Sequence, residues 1–132
     1  MTVLDPNVDE LAKGPHFATC TTLMRDGTPQ TGVVWIDSDG EHLLVNTEVH
    51  RQKYRNVGRD GRVNVLIWDR DNPYRTAEIR GRVVGTVRGP EARDHIDALS
   101  QKYKGKPYGN PIQSERVILR IAPERQVVRG YR

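Results

Sequence analysis

The sequence is short of several things at once: in 132 residues it has one cysteine, one phenylalanine and two tryptophans. A single thiol excludes an intramolecular disulfide, and Cys20, flanked by Thr19, Thr21 and Thr22, reads as a small buried side chain of a strand. With aromatics at 6%, there is no stacking platform of the kind that single-stranded nucleic acids need, so no nucleic-acid partner is expected despite the formal charge of +4. Apolar runs stay far below the roughly 20 residues that cross a bilayer. Together with an acidic opening from Met1 to Glu10, this predicts a cytoplasmic protein with no membrane partner. Zinc-ligand spacings, a nucleophile elbow, a Walker loop and a strand-borne Gly-x-Gly-x-x-Gly are all missing, so no metal site is expected. Repeats and low-complexity linkers are missing too, and residues 1–132 read as one domain.

What is present is a series of short β-branched segments punctuated by Asp-Gly turns. Phe17 to Met24 predicts a strand that turns at Asp26-Gly27, and Pro29 to Asp37 predicts a second. Within it Val33, Val34, Trp35 and Ile36 are continuously apolar, which points to burial on both faces or at a subunit contact. A turn at Asp39-Gly40 leads to a third strand, His42 to Thr47. Further strands are expected at Arg62 to Asp69, Thr76 to Val87 and Arg116 to Ile121. Gly81 and Gly85 would weaken a regular strand but suit bulges where a sheet bends. Helices are expected at Asn7 to Lys13, Val49 to Arg59 and Pro90 to Tyr103. The fold class is therefore mainly β with a few short helices, a six-stranded antiparallel barrel closed on itself.

One segment concentrates chemistry. Asn46 and Thr47 lie just ahead of Arg51, Lys53, Arg55 and Asn56, mixing neutral hydrogen-bond donors with cations at the start of a helix. Helix N-terminal amides carry partial positive charge, arginine grips two phosphate oxygens at once, and lysine adds a point charge. Composition alone leaves two readings open, a phosphate site or a solvated basic helix face.

The order of pieces bears on that choice. An Asp-Gly hairpin, Pro-Gln-Thr-Gly-Val-Val-Trp-Ile from Pro29, Leu-Leu-Val-Asn-Thr from Leu43, Arg-x-Lys-x-x-Asn from Arg51 and Arg-Val-x-Val from Arg62 resemble the pyridoxamine 5'-phosphate oxidase-like split β-barrel flavoproteins. The stretches Asp69–Arg75, Glu78–Val83 and Ile121–Arg125 look like the F420-dependent, deazaflavin oxidoreductase B branch of that superfamily.

The resemblance implies an FMN-binding split barrel working as a homodimer, with the cofactor in the groove between subunits. Its phosphate would lie near Arg51, Lys53 and Asn56, with Asn46 and Thr47 on ribityl or phosphate oxygens. Backbone groups of Gly32, Val33, Val34 and Trp35 would line the ring. Tyr74 would approach from the other subunit, and Arg55, Arg59, Arg75 and Lys53 would meet an anionic cofactor tail. The implied activity is hydride transfer between reduced coenzyme F420 and an electron-poor small-molecule substrate. An FMN enzyme of the same fold, or a non-enzymatic flavin carrier, would use the same phosphate grip. The ring carries the reactivity, so no catalytic side chain is obligatory; His50 and Tyr74 are the candidates for delivering a proton. His16, His42 and His95 have no companion acids at ligand spacing and read as structural or solvent-facing.

Overall fold

The computed structural model describes residues 3–131, so Met1, Thr2 and Arg132, at the ends of the expected domain, lie outside the described residues. In chain order, α1 (Pro6–Lys13) leads into β1 (Phe17–Leu23), β2 (Pro29–Val34), β3 (Asp37–Ser38), β4 (Leu43–Glu48) and α2 (Gln52–Arg59). Then come β5 (Arg62–Asp69), β6 (Asn72–Arg88), α3 (Pro90–Lys104) and β7 (Arg116–Arg129). The strands form one antiparallel sheet in the order β2-β1-β5-β6-β7-β4-β3.

The fold is mainly β with three helices, as expected, and the sheet is a curled half-barrel of the split-barrel type. Seven strands stand where six were expected. The expected second strand breaks after Val34, at one edge of the sheet, and the chain enters the opposite edge at Asp37. Three peptide steps of extended chain reach roughly 11 Å at most. The two sheet edges must therefore approach that closely, which is direct evidence of curling. The uninterrupted apolar run hid this crossing: Val33 is 71% exposed on the bare edge whereas Ile36 is fully buried beyond it.

Alternation fills the inside. Ala18 and Cys20 of β1, Val65 and Ile67 of β5, Ile79 of β6, Leu119 and Ile121 of β7 and Val45 of β4 all point inward and are buried, with Val8 and Leu11 of α1 packed on them. Burying each Leu, Ile or Val contributes about 1.5–3 kcal/mol. Ile79→Ala would cost about 2–5 kcal/mol by leaving a cavity in this layer.

The turns and bends follow their expected chemistry. Gly27 and Gly40 take positive φ in the two Asp-Gly turns, and the Asp26 carboxylate accepts from the Thr28 amide at 3.0 Å. The β6–β7 register slips at Arg80/Gly81 and again at Val83/Gly85. A β-carbon at Gly81 would run into the Ala122 carbonyl, so the bend needs glycine. β7 continues to Arg129, past the Ile121 at which the sequence suggested it ends, because Pro123 sits opposite Gly81 at that slip, where no regular ladder bond is required of it. Between β6 and β7 the chain leaves the sheet after Arg88 and returns at Arg116, with α3 in the excursion and an Arg88–Glu115 ion pair across its neck.

Candidate functional site

Where the sheet edges approach, a cleft of about 260 Å³ opens between Val33, Val34 and Trp35 on one side and Asn46, Arg51, Lys53 and Arg116 on the other. Ile96 of α3 and Tyr108 and Asn110 of the following loop close the third wall. β2 is paired only with β1, so its other edge presents backbone groups with no ladder partner.

The polar wall is built around a buried carboxylate that sequence reasoning did not single out. Glu48 is 1% exposed and accepts from the amides of Gln113 (2.8 Å) and Ser114 (2.7 Å) through Oε1. Its Oε2 takes Arg51 at 3.1 Å and Arg116 at 3.4 Å. Burial pushes this carboxyl upward, but the Ser114 and Gln113 amides and the Arg116 and Arg51 charges outweigh it and hold Glu48 below the usual carboxylate range. Arg116 is itself only 4% exposed, lies 5.3 Å from the Tyr108 ring centroid, and donates from Nε to Asn46 Oδ1 at 2.8 Å.

Lys53 completes the cationic end. It has no ion-pair partner among the described residues; burial, then repulsion from Arg51 and Arg116, lowers its ammonium below the usual lysine range. Three cations thus converge with one carboxylate between them. Arg51 is the N-cap of α2, with extended backbone and no side-chain cap bond. The first amides of α2 therefore have no side-chain cap to take them up.

The apolar wall is aromatic. Trp35 stacks on Tyr103 of α3, with centroids 5.3 Å apart and planes at 7°, and meets Tyr108 edge-on at 6.2 Å. The Tyr103 hydroxyl accepts from the Ile36 amide and donates to the His16 carbonyl, pinning α3 across the split.

Of the residues expected at the site, Val33, Val34, Trp35, Asn46, Arg51 and Lys53 are brought together, and Gly32 is next along β2. The rest do not join this chain's cleft. Thr47 is buried with its hydroxyl unpartnered. Asn56 is fully buried behind α2, its amide nitrogen on Thr22 Oγ1 at 3.0 Å and its oxygen taking Gln52 at 2.8 Å. Arg55 turns to the His50 carbonyl and Gln52. His50 binds Ser114 Oγ at 2.6 Å. Tyr74 stands 84% exposed at the β5–β6 turn, and Arg75 beside it pairs with Asp69 at 3.5 Å and lies over the Tyr131 ring.

Glu48, Arg116, Tyr108, Asn110 and Ile96 were missed, because the contacts that recruit them span the β4–β7 pairing and the α3 excursion. The three histidines with no companion acid at ligand spacing each meet an acid in the fold: His16 with Asp69, His42 with the nearby Asp39, and His95 with Asp37 at 2.9 Å. No cluster of metal-ligand type occurs among the described residues. No helix is long and apolar enough to cross a membrane.

Residues 4–127 match the family model of pyridoxamine 5'-phosphate oxidase. The chain belongs to that family. Among solved structures it is similar to one named F420 Reductase, at 32% identity over 94% of this chain and 98% of that one, with a TM-score of 0.76. That likeness supports the F420-related branch of the superfamily. The fold is shared with the conserved hypothetical protein Rv2991 from Mycobacterium tuberculosis, at 24% identity, 98% and 86% coverage and a TM-score of 0.72. It is shared also with a putative pyridoxamine 5'-phosphate oxidase from Listeria innocua, at 20% identity, 89% and 90% coverage and a TM-score of 0.64. No curated protein matches the sequence.

Proposed function

We propose that the protein is a coenzyme F420-dependent oxidoreductase that passes a hydride between the reduced deazaflavin and an electron-poor small molecule. The observation that carries this reading is that three cations, Arg51, Lys53 and Arg116, line a cleft in which only one carboxylate, Glu48, pairs with two of them, beside the bare edge of β2. Such an arrangement has a standing need for an anion, and a phosphate on a heterocyclic cofactor meets it. The residues fit the group: Lys53 lacks a counter-charge, the α2 amides lack a cap, and β2 has free backbone groups for the polar rim of a ring. The 32% identity to a protein named F420 Reductase favours the deazaflavin over FMN.

In the reaction, the cofactor supplies a ring that takes up and releases two electrons with a hydride. The chain's own residues bind and orient. Arg51, Lys53 and Arg116 hold the phosphate, Asn46 holds Arg116 through its Oδ1, and the backbone of Gly32 to Trp35 aligns the ring. The Trp35–Tyr103 stack excludes water from the α3 side. Tyr108 lies in the lining with Arg116 5.3 Å from its ring centroid and so packs against the cationic end.

A homodimer completes the site. At about 260 Å³ the cleft is below the roughly 300–1,000 Å³ of pockets that enclose small molecules, so one chain forms part of the enclosure. Across β2, β1 and β5, Val33 is paired opposite Thr19 and Thr19 opposite Leu66, and Val33, Leu66 and Phe17 stand 71%, 36% and 44% exposed on the face away from the core. An apolar face next to an incomplete cleft suits a second copy, which would bring its own Tyr74 to the groove.

Coenzyme F420 and FMN titrated side by side onto wild type and Lys53→Ala test the reading. Lys53→Ala should weaken the preferred cofactor roughly tenfold or more, the worth of a hydrogen bond to a charged group. Unchanged affinity for both cofactors would overturn the phosphate assignment. A purified protein already yellow with FMN would replace F420 by FMN, and failure to oxidise reduced F420 with any activated alkene would leave a carrier.

A further inference from the structure

The cleft's Asn46 is held by a chain of hydrogen bonds that begins outside the cleft. Asp37, at the start of β3, has its carboxylate 2.9 Å from His95 Nε2 of α3 and also accepts from the Ser38 amide. The other ring nitrogen, His95 Nδ1, lies 3.1 Å from Asn46 Nδ2, whose second proton goes to the Ala92 carbonyl at 2.9 Å. Asn46 Oδ1 is thereby turned to Arg116 Nε at 2.8 Å.

Hydrogen-bonding capacity fixes every proton in this series. A carboxylate only accepts, so Nε2 carries hydrogen and donates to Asp37. An amide NH₂ only donates, so Nδ1 must be the bare, accepting nitrogen. With both amide protons committed, the Asn46 oxygen has one direction left, toward Arg116. The ring is only 11% exposed, which leaves little room for water to replace it.

We propose that His95 is a positioning residue for the cofactor phosphate: its accepting Nδ1 sets the Asn46 amide, and the amide sets the Arg116 guanidinium toward the anion. Glu48 holds one terminal nitrogen of that guanidinium and Asn46 its Nε, so two points define its plane. Without the histidine acceptor the Asn46 amide keeps only the Ala92 carbonyl on its donor side, so its plane and with it the Nε end of Arg116 are held less firmly. The inference rests on the proposed phosphate site and adds to it a control point on α3, the helix that also carries the Tyr103 stacked on Trp35.

The experiment compares FMN and coenzyme F420 affinities of wild type, His95→Leu, His95→Asn, Arg116→Met and the double variant His95→Leu/Arg116→Met, with thermal unfolding recorded for each. His95→Leu fills the space without an acceptor and should weaken the bound cofactor about tenfold. His95→Asn places an oxygen where Nδ1 stood and should restore affinity to within about threefold of wild type, although it loses Asp37. In the Arg116→Met background, His95→Leu should add nothing, because the two act on one contact. Equal losses in both histidine variants, or full additivity with Arg116→Met, would overturn the positioning role. If instead Arg116→Met and Lys53→Ala leave cofactor affinity unchanged, it is the phosphate site itself that fails.

Discussion

The basic residues around α2 are put to two uses. At the cleft, Arg51 shares one carboxylate with Arg116, and Lys53 beside them has no acid of its own among the described residues. Away from the cleft, Arg55 rests on the His50 carbonyl and Gln52, Arg59 on the Leu23 carbonyl, and Asn56 ties the helix to Thr22 of β1. A basic run is therefore not one site. What separates a binding cation from a structural one is whether the fold has already used its donors.

The largest effect should come from removing the anchor of the cleft face. Glu48→Gln leaves Arg116 buried without its counter-charge and should lower the free energy of unfolding by about 3–5 kcal/mol in a denaturant titration. The same carboxylate predicts an acid dependence. Its folded pKa is depressed, so its contribution is complete above the ordinary glutamate value of 4.5 and is lost as pH falls through the lower folded value. Glu48→Gln should flatten that acid limb of stability against pH; an unchanged limb would remove Glu48 from its cause.

Next in size, Asn56→Ala should cost about 1–3 kcal/mol, because it strands Thr22 and Gln52 partners inside, while the folded fraction binds cofactor as wild type does. A loss of affinity in that variant, comparable to the loss in Lys53→Ala, would erase the distinction between the two sets of residues. Smallest of all, Arg55→Ala should leave unfolding and cofactor affinity within error in the same two assays. A tenfold loss of binding there would return Arg55 to the site.

The sequence made the local features legible. Asp26-Gly27 and Asp39-Gly40 require positive φ at glycine, Gly81 and Gly85 have no good place in a straight strand, and Cys20 among threonines has the alternation of a half-buried strand. Arg51 and Lys53 were found because helix-start chemistry is written in adjacent letters. The crossing from β2 to β3 was not, since an apolar run has no period that distinguishes a strand from a connection inside a curl. Glu48 and Arg116 looked like any surface pair, being 68 residues apart, and only the β4–β7 register sets them opposite each other. His95 was passed over for the same reason: its acid lies 58 residues away.

The excursion between β6 and β7 has an evolutionary consequence. It leaves and rejoins one long hairpin through a neck spanned by Arg88 and Glu115, yet it supplies Ile96, Tyr108 and Asn110 to the cleft and Tyr103 to its aromatic wall. The cationic end, apart from Arg116 just past the neck, is laid down by β4 and α2. Exchanging residues 89–115 as a cassette would thus re-tailor substrate preference, and would keep the cofactor grip only where His95 and Ala92 still meet Asn46 and the amides of Gln113 and Ser114 still meet Glu48. Relatives with the same Arg51 and Lys53 should diversify in length and composition inside that cassette first.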